Sequence, residues 1–121
     1  MTLAEAIEVL QAETVVPAPE GDRELAAGFA SDLMSDVLAF ARQDTLLLTG
    51  LATDQTIRTA AVRHLAAVVV VADKEVSSDM LEAAREEDIP LCRTAMSKFA
   101  ACGRLWEKGL SAVENGKPRD A

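Results

Sequence analysis

The stretch Ala67-Val68-Val69-Val70-Val71-Ala72 narrows most sharply what this chain can fold into. Four consecutive β-branched residues fit the pleated backbone of a strand better than a helix. Successive side chains of a strand point to opposite faces, so a run without a polar residue must be covered on both. Strands of that kind belong to parallel sheets held between helices. The longest apolar run, Leu65 to Ala72, is far shorter than the about 20 residues that cross a bilayer.

The rest of the chain alternates around this strand. Thr2-Leu3-Ala4-Glu5 has the spacing of a capping box, and Leu3, Ile7 and Leu10 follow on one helical face. A strand at Thr14 to Val16 ends at Pro17, Pro19 and Gly21. A second strand, Leu25 to Ala30, carries Gly28, where another backbone can approach closely. Ser31 or Asp32 caps a helix with Leu33, Val37, Phe40 and Ala41 on one face, and Met34 and Leu38 widen the stripe until two sides are covered. Thr45 to Leu48 reads as a buried strand, and Asp54 caps a helix whose Ile57, Ala61 and Leu65 face inward. After the valine strand, Ser77, Ser78 or Asp79 caps a helix through Met80, Leu81 and Ala84, and Ile89 to Arg93 forms a further strand. Thr94 or Ser97 opens the last helix, with Phe99, Cys102 and Trp106 inward and Gly109-Leu110 as its stop. This order predicts one α/β domain over residues 1–110, three-layered, with a mainly parallel sheet, helices on both faces and right-handed crossovers. Residues 111–121 read as a polar C-terminal tail, frayed from Asn115 to Ala121.

Composition excludes several functions. Twelve basic against 20 acidic residues give a net charge of −8, the wrong sign for a nucleic-acid polymer or an anionic membrane surface. The aromatic residues are Phe29, Phe40, Phe99 and Trp106, too few for a base-stacking platform. Cys92 and Cys102 are the only cysteines, and with the single His64 far from both they offer no zinc spacing. Both thiols read as small buried side chains, His64 as a helix-end or surface residue, and Glu86-Glu87-Asp88 as a solvated helix end. Met1 to Leu10 holds two glutamates and no basic residue, unlike a signal peptide, so a soluble cytoplasmic protein is expected. No metal or other cofactor is expected.

Small polar residues cluster just after three of the apolar runs. If those runs are parallel strands, the clusters share the carboxyl edge of the sheet, where open α/β sheets bind ligands. The candidate ligand-binding residues are Ser31, Asp32, Ser35, Thr49, Gly50, Thr53, Arg93 and Thr94. Ser31-Asp32 and Ser35-Asp36 repeat at i and i+4, one face of a helix. Each position also has a plainer reading: an N-cap for Ser31 or Asp32, a tight turn needing Gly50 for its backbone angles, and a surface ion pair for Arg93. No nucleophile–base pair marks a catalytic site.

Five segments carry a family resemblance. They are Gly28-Phe29-Ala30-Ser31-Asp32-Leu33-Met34-Ser35-Asp36-Val37, the stretch from Leu48-Thr49-Gly50-Leu51 through Thr53-Asp54-Gln55-Thr56-Ile57 to Ala60, Asp79-Met80-Leu81-Glu82-Ala83-Ala84, Ile89-Pro90-Leu91, and Phe99-Ala100-Ala101-Cys102-Gly103-Arg104-Leu105. Together they resemble stand-alone DRTGG-domain proteins, related to the N-terminal domain of HPr kinase/phosphorylase. The pentapeptide of the family name is absent, with Asp22-Arg23 and the later Gly28 as its nearest remnant. The kinase chemistry of that enzyme belongs to a separate P-loop domain. Here Ser111 stands where the loop needs its first glycine and Pro118 follows Lys117, so no Walker A loop is present. The resemblance implies a non-catalytic regulatory module, as beside CBS pairs in regulated pyrophosphatases. It is expected to sense a small anionic metabolite or nucleotide and to form a homodimer, to which the two-sided helix at Leu33–Ala41 also points. The alternatives are a structural adaptor docking to a metabolic or redox enzyme, and an enzyme acting on a phosphorylated or acyl substrate through Asp32, Thr49 and Arg93.

Overall fold

The computed structural model describes residues 1–114 and 117–118. Its main sheet has the order β1-β5-β4-β3-β2, built from β1 (Glu13–Val16), β2 (Ala27–Ala30), β3 (Thr45–Thr49), β4 (Ala67–Val70) and β5 (Leu91–Arg93). Strands β2 to β5 are parallel, and β1 runs antiparallel to β5 at one edge. Helices α1 (Leu3–Leu10), α2 (Met34–Phe40), α3 (Asp54–Val62), α4 (Ser78–Glu86) and α5 (Lys98–Glu107) complete the three layers.

The strand order dictates where the helices lie. From β2 to β5 the chain steps one strand at a time in a single direction, so right-handed crossovers place α2, α3 and α4 on one face. After β5 the chain reverses and passes over the other face as α5, reaching β2 again where Ala112 bridges Gly28 in parallel. The register follows. Leu47, Val68 and Leu91 form a row beneath α2–α4, whereas Leu48, Val69 and Cys92 form a row beneath α1 and α5. Two apolar clusters result, one on each face, and all five residues of β3 are buried between them.

Local chemistry explains the boundaries. The Thr2–Glu5 capping box forms in full at α1. Ser77 and Ser97 accept from the amides of Met80 and Ala100 and start α4 and α5. Five helix-to-strand connections each pass through a left-handed residue: Gln11, Asp44, His64, Asp88 and, after α5, Gly109. His64 is therefore an exposed chain-reversal residue. Gly28 is close-packed as expected: its amide donates to Ser111 O at 2.7 Å, and an added Cβ would lie 3.0 Å from Leu110 Cδ2.

Several expectations need correction. Neither Ser31 nor Asp32 caps α2, whose N-cap is Leu33 without a side-chain bond; Asp32 turns to β3 instead. Asp54 does not cap α3 but lies in its first turn, after the N-cap Thr53. On α2 the buried face is Met34, Val37 and Ala41, leaving Leu33, Leu38 and Phe40 exposed. On α5 the buried residues are Ala101 and Leu105, while Phe99 is 91% and Trp106 49% exposed and Cys102 half-buried. The small Ala101 lets α5 lie close to α1 and the sheet, with Leu105 inward and Phe99 and Trp106 turned outward. Strand β4 stops at Val70, because Ala72 and Asp73 both turn left-handed. Residues 111–114 run along β2 and pair onward, Val113 with Pro118. In the stretch expected to fray, residues 115, 116 and 119–121 lie outside the described residues. Among the described residues no helix is long and apolar enough to cross a membrane.

Thr45 is fully buried and its Oγ1 has no hydrogen-bond partner among the described residues. An isosteric Thr45→Val change removes a desolvated hydroxyl and should raise the unfolding free energy by about 1 kcal/mol, read as a higher urea midpoint. A lower midpoint would show the hydroxyl to be satisfied.

Candidate functional site

The carboxyl ends of β2 and β3 bring Asp32, Thr49 and Gly50 together. The Gly50 amide donates to Asp32 Oδ1 at 2.6 Å and the Thr49 hydroxyl donates to the same oxygen at 3.2 Å. Thr49 Oγ1 also accepts from the Leu51 amide, which fixes the turn into α3. Gly50 does not lie in the left-handed region, so its backbone angles do not require glycine. A Cβ there would sit 3.2 Å from Asp32 Oδ2 and 3.3 Å from Lys74 Nζ, close contacts with the ends of two side chains that would have to shift slightly.

Two cations complete this cluster, and the sequence reading missed both. Lys98 Nζ pairs with Asp32 Oδ1 at 3.0 Å from across the sheet, because α5 packs over β3 and β2. Lys74 reaches over Gly50 from the loop after β4 and makes no ion pair among the described residues. Lys98 left a signal in the sequence: a cation in the first turn of a helix opposes the helix dipole, so a partner outside the helix is implied. The Gly50 amide first, then the Lys98 ammonium and the Thr49 hydroxyl, hold the Asp32 carboxyl below its usual 3.8 against a smaller opposing cost of burial.

The other candidates go elsewhere. The Ser31 hydroxyl accepts from the Leu33 amide at 3.0 Å, a local turn at the edge of the cluster. Ser35 and Thr53 are exposed at the starts of α2 and α3, with no side-chain hydrogen bond among the described residues. Thr94 points inward, donating to Leu10 O at 2.7 Å and accepting from the Met96 amide. Arg93 lies where the strand order makes its crevice, since β4 leads to α4 on one face and β5 to α5 on the other. Its guanidinium fills that crevice, donating to Lys74 O at 2.8 Å and Asp73 O at 2.7 Å and pairing with Asp73 Oδ1 at 3.3 Å. The left-handed Ala72-Asp73 pair is thus clamped by Arg93.

The remaining reactive groups do not join in. Burial pushes the Cys92 thiol up to about 11 and raises the Cys102 thiol too, so neither is a nucleophile near neutral pH. Asp22-Arg23, the pentapeptide remnant, serves the fold: Asp22 accepts from the Ala4 amide at the start of α1, and Arg23 donates to Ala66 O. No group of three His, Cys, Asp or Glu that could hold a metal ion occurs among the described residues. Separately, a largely apolar groove of about 440 Å³ opens between β2 and α5.

This architecture has counterparts among solved proteins. The class it defines is a three-layer α/β domain with a mostly parallel five-stranded sheet. One similar structure is the CBS and DRTGG domains of the regulatory region of Clostridium perfringens pyrophosphatase, complexed with the activator diadenosine tetraphosphate. The likeness has a TM-score of 0.69 at 15% identity and covers 85% of this chain but 45% of that one, so it establishes the fold. No family model matches the chain. No curated protein matches it either.

Two measurements test the site geometry. Ala72→Gly should relieve left-handed strain and raise stability by about 0.5–1 kcal/mol in chemical denaturation. Because the folded pKa of Asp32 lies below 3.8, its contribution is complete above pH 3.8 and is lost as pH falls through the folded value. Asp32→Asn should therefore lower the denaturation midpoint at pH 6, by a deficit that shrinks as pH falls below 3.8. A deficit that does not shrink anywhere below pH 3.8 would refute the assignment.

Proposed function

We propose that this chain is a non-catalytic regulatory module that senses a small anionic metabolite or nucleotide at the carboxyl edge of its sheet and pairs with a second copy of itself. The observation that carries the reading is the convergence of Lys98 and Lys74 on Gly50 and Asp32. Lys98 pairs with Asp32, while Lys74 over Gly50 makes no ion pair among the described residues, so positive charge remains for an anion. Asp32 is a weakened base, its carboxylate held by the Gly50 amide and Lys98, and the two thiols are protonated near neutral pH, which favours binding over turnover. Leu33, Leu38 and Phe40, exposed on α2, supply the apolar surface for pairing.

The resemblance to DRTGG domains, and through them to the N-terminal domain of HPr kinase/phosphorylase, belongs to this proposal, as does a cytoplasmic location. The similar regulatory region was solved with an adenosine nucleotide activator, which supports testing nucleotides first. The same exposed residues of α2 also fit a docking surface for a metabolic or redox enzyme, which is the adaptor alternative.

Native mass spectrometry of the purified protein, gentle against denaturing, should show a dimer with a co-purified small molecule. Titration with a panel of nucleotides should give binding that Lys74→Ala weakens by about tenfold, or 1.4 kcal/mol, the loss of one charge-assisted contact. A bare dimer indifferent to nucleotides and other small anions would move the reading to the adaptor. A ligand-free monomer would overturn both sensing and pairing.

A further inference from the structure

We propose that the groove between β2 and α5 holds the planar apolar part of an aromatic anion whose charged group is met by Lys98 at the groove mouth. The inference rests on the ligand-sensing reading and carries its site around the sheet edge to the α5 face. Phe99, Cys102, Gly103 and Trp106 of α5 face Ala30 and Leu48 across the groove, whose volume of about 440 Å³ suits a small molecule. Phe99 and Trp106 stand seven residues apart, about 10 Å along the helix, with Cys102 and Gly103 lining the groove between them. A planar ring fits such a gap and can stack on either aromatic wall.

Gly103 is the most telling residue. It sits in the interior of α5, where glycine weakens a helix. It does not adopt a left-handed φ, and a Cβ there would meet no described residue within 4 Å. Among the described residues neither backbone nor packing calls for glycine at this position; what it provides is room in the groove. Contrast Gly28 across the groove, where Leu110 already occupies the space.

The mouth supplies the charge. Lys98 and Asp32 are not themselves lining residues, but Lys98 directly precedes Phe99 and Asp32 follows Ala30 by two residues, which sets their ion pair next to one end of the groove. The ammonium spends one of its three donors on Asp32. A single ammonium above an apolar slot fits a ring system with one compact anionic group.

Trp106 is the only tryptophan and the chain has no tyrosine, so intrinsic emission reports from the groove itself. The probes are 8-anilino-1-naphthalenesulfonate and its neutral counterpart N-phenyl-1-naphthylamine, titrated into the full chain while energy transfer from Trp106 is followed. Saturable binding at one site per chain is expected for both. Gly103→Leu should weaken each at least tenfold and Gly103→Ala by no more than twofold, while both variants melt at or above the parent temperature because a helix loses its glycine. Lys98→Met should weaken the sulfonate at least fivefold and leave the neutral amine within twofold. Unchanged affinity in Gly103→Leu overturns the groove, and an equal response of the two dyes to Lys98→Met overturns the anion at its mouth. A parent that binds neither dye, and whose dimer Gly103→Leu dissociates, assigns the groove to a second copy and overturns the proposal. Dye binding that survives where nucleotides and other small anions fail at Lys74 separates this inference from the broader reading.

Discussion

The handedness of the crossovers is the constraint on which the rest depends. With strands β2 to β5 laid down in one direction, α2, α3 and α4 have to share a face, and the chain can cover the opposite face only by reversing after β5. That reversal carries α5 over β3 and β2 and delivers Lys98 to Asp32. It also leaves α5 with one side on the core and the other along the edge strand. The ion pair, the groove and the strand-edge bridge at Gly28 all follow from the single change of direction.

Much of the fold was legible in the sequence. The valine run demanded cover on both faces, and the capping box, the serines before α4 and α5, and Gly109 marked real helix ends. The inward faces of α2 and α5 were not legible, for one physical reason. Both helices carry apolar residues around more than one side, and volume alone favours Phe99 and Trp106 over Ala101 as core. Close packing chose differently, because a small residue lets two backbones approach and a large one does not. Asp32 misled in a similar way. An acidic residue just before a helix is a good cap, but here the neighbouring strand offers a better-placed amide and a cation as well.

Of the eight candidate site residues, Asp32, Thr49 and Gly50 form one cluster with Ser31 at its rim, while Arg93 and Thr94 are committed to holding loops and α1. Side-chain chemistry placed these residues along the carboxyl edge of the parallel strands but could not say which hydroxyls would turn inward, since that depends on which carbonyls the tertiary fold leaves without a partner. The two lysines were invisible to a search for small polar residues after strands because one comes from the next loop and the other from a helix on the opposite face.

The left-handed residues at the helix-to-strand connections have a consequence for how the domain tolerates change. Four of the five are Gln11, Asp44, His64 and Asp88, side chains for which this backbone region is uphill, and only the last is a glycine. Each connection is held in place by the strand it feeds. The domain therefore stands below the stability its topology permits, with the shortfall spread over four separated loops, three at the amino edge of the sheet and the Gln11 loop beside Thr94 at the other edge. Sequence drift at those positions can move in a favourable direction, which leaves the carboxyl edge, with its crowded charges, freer to accumulate costly substitutions without unfolding the protein.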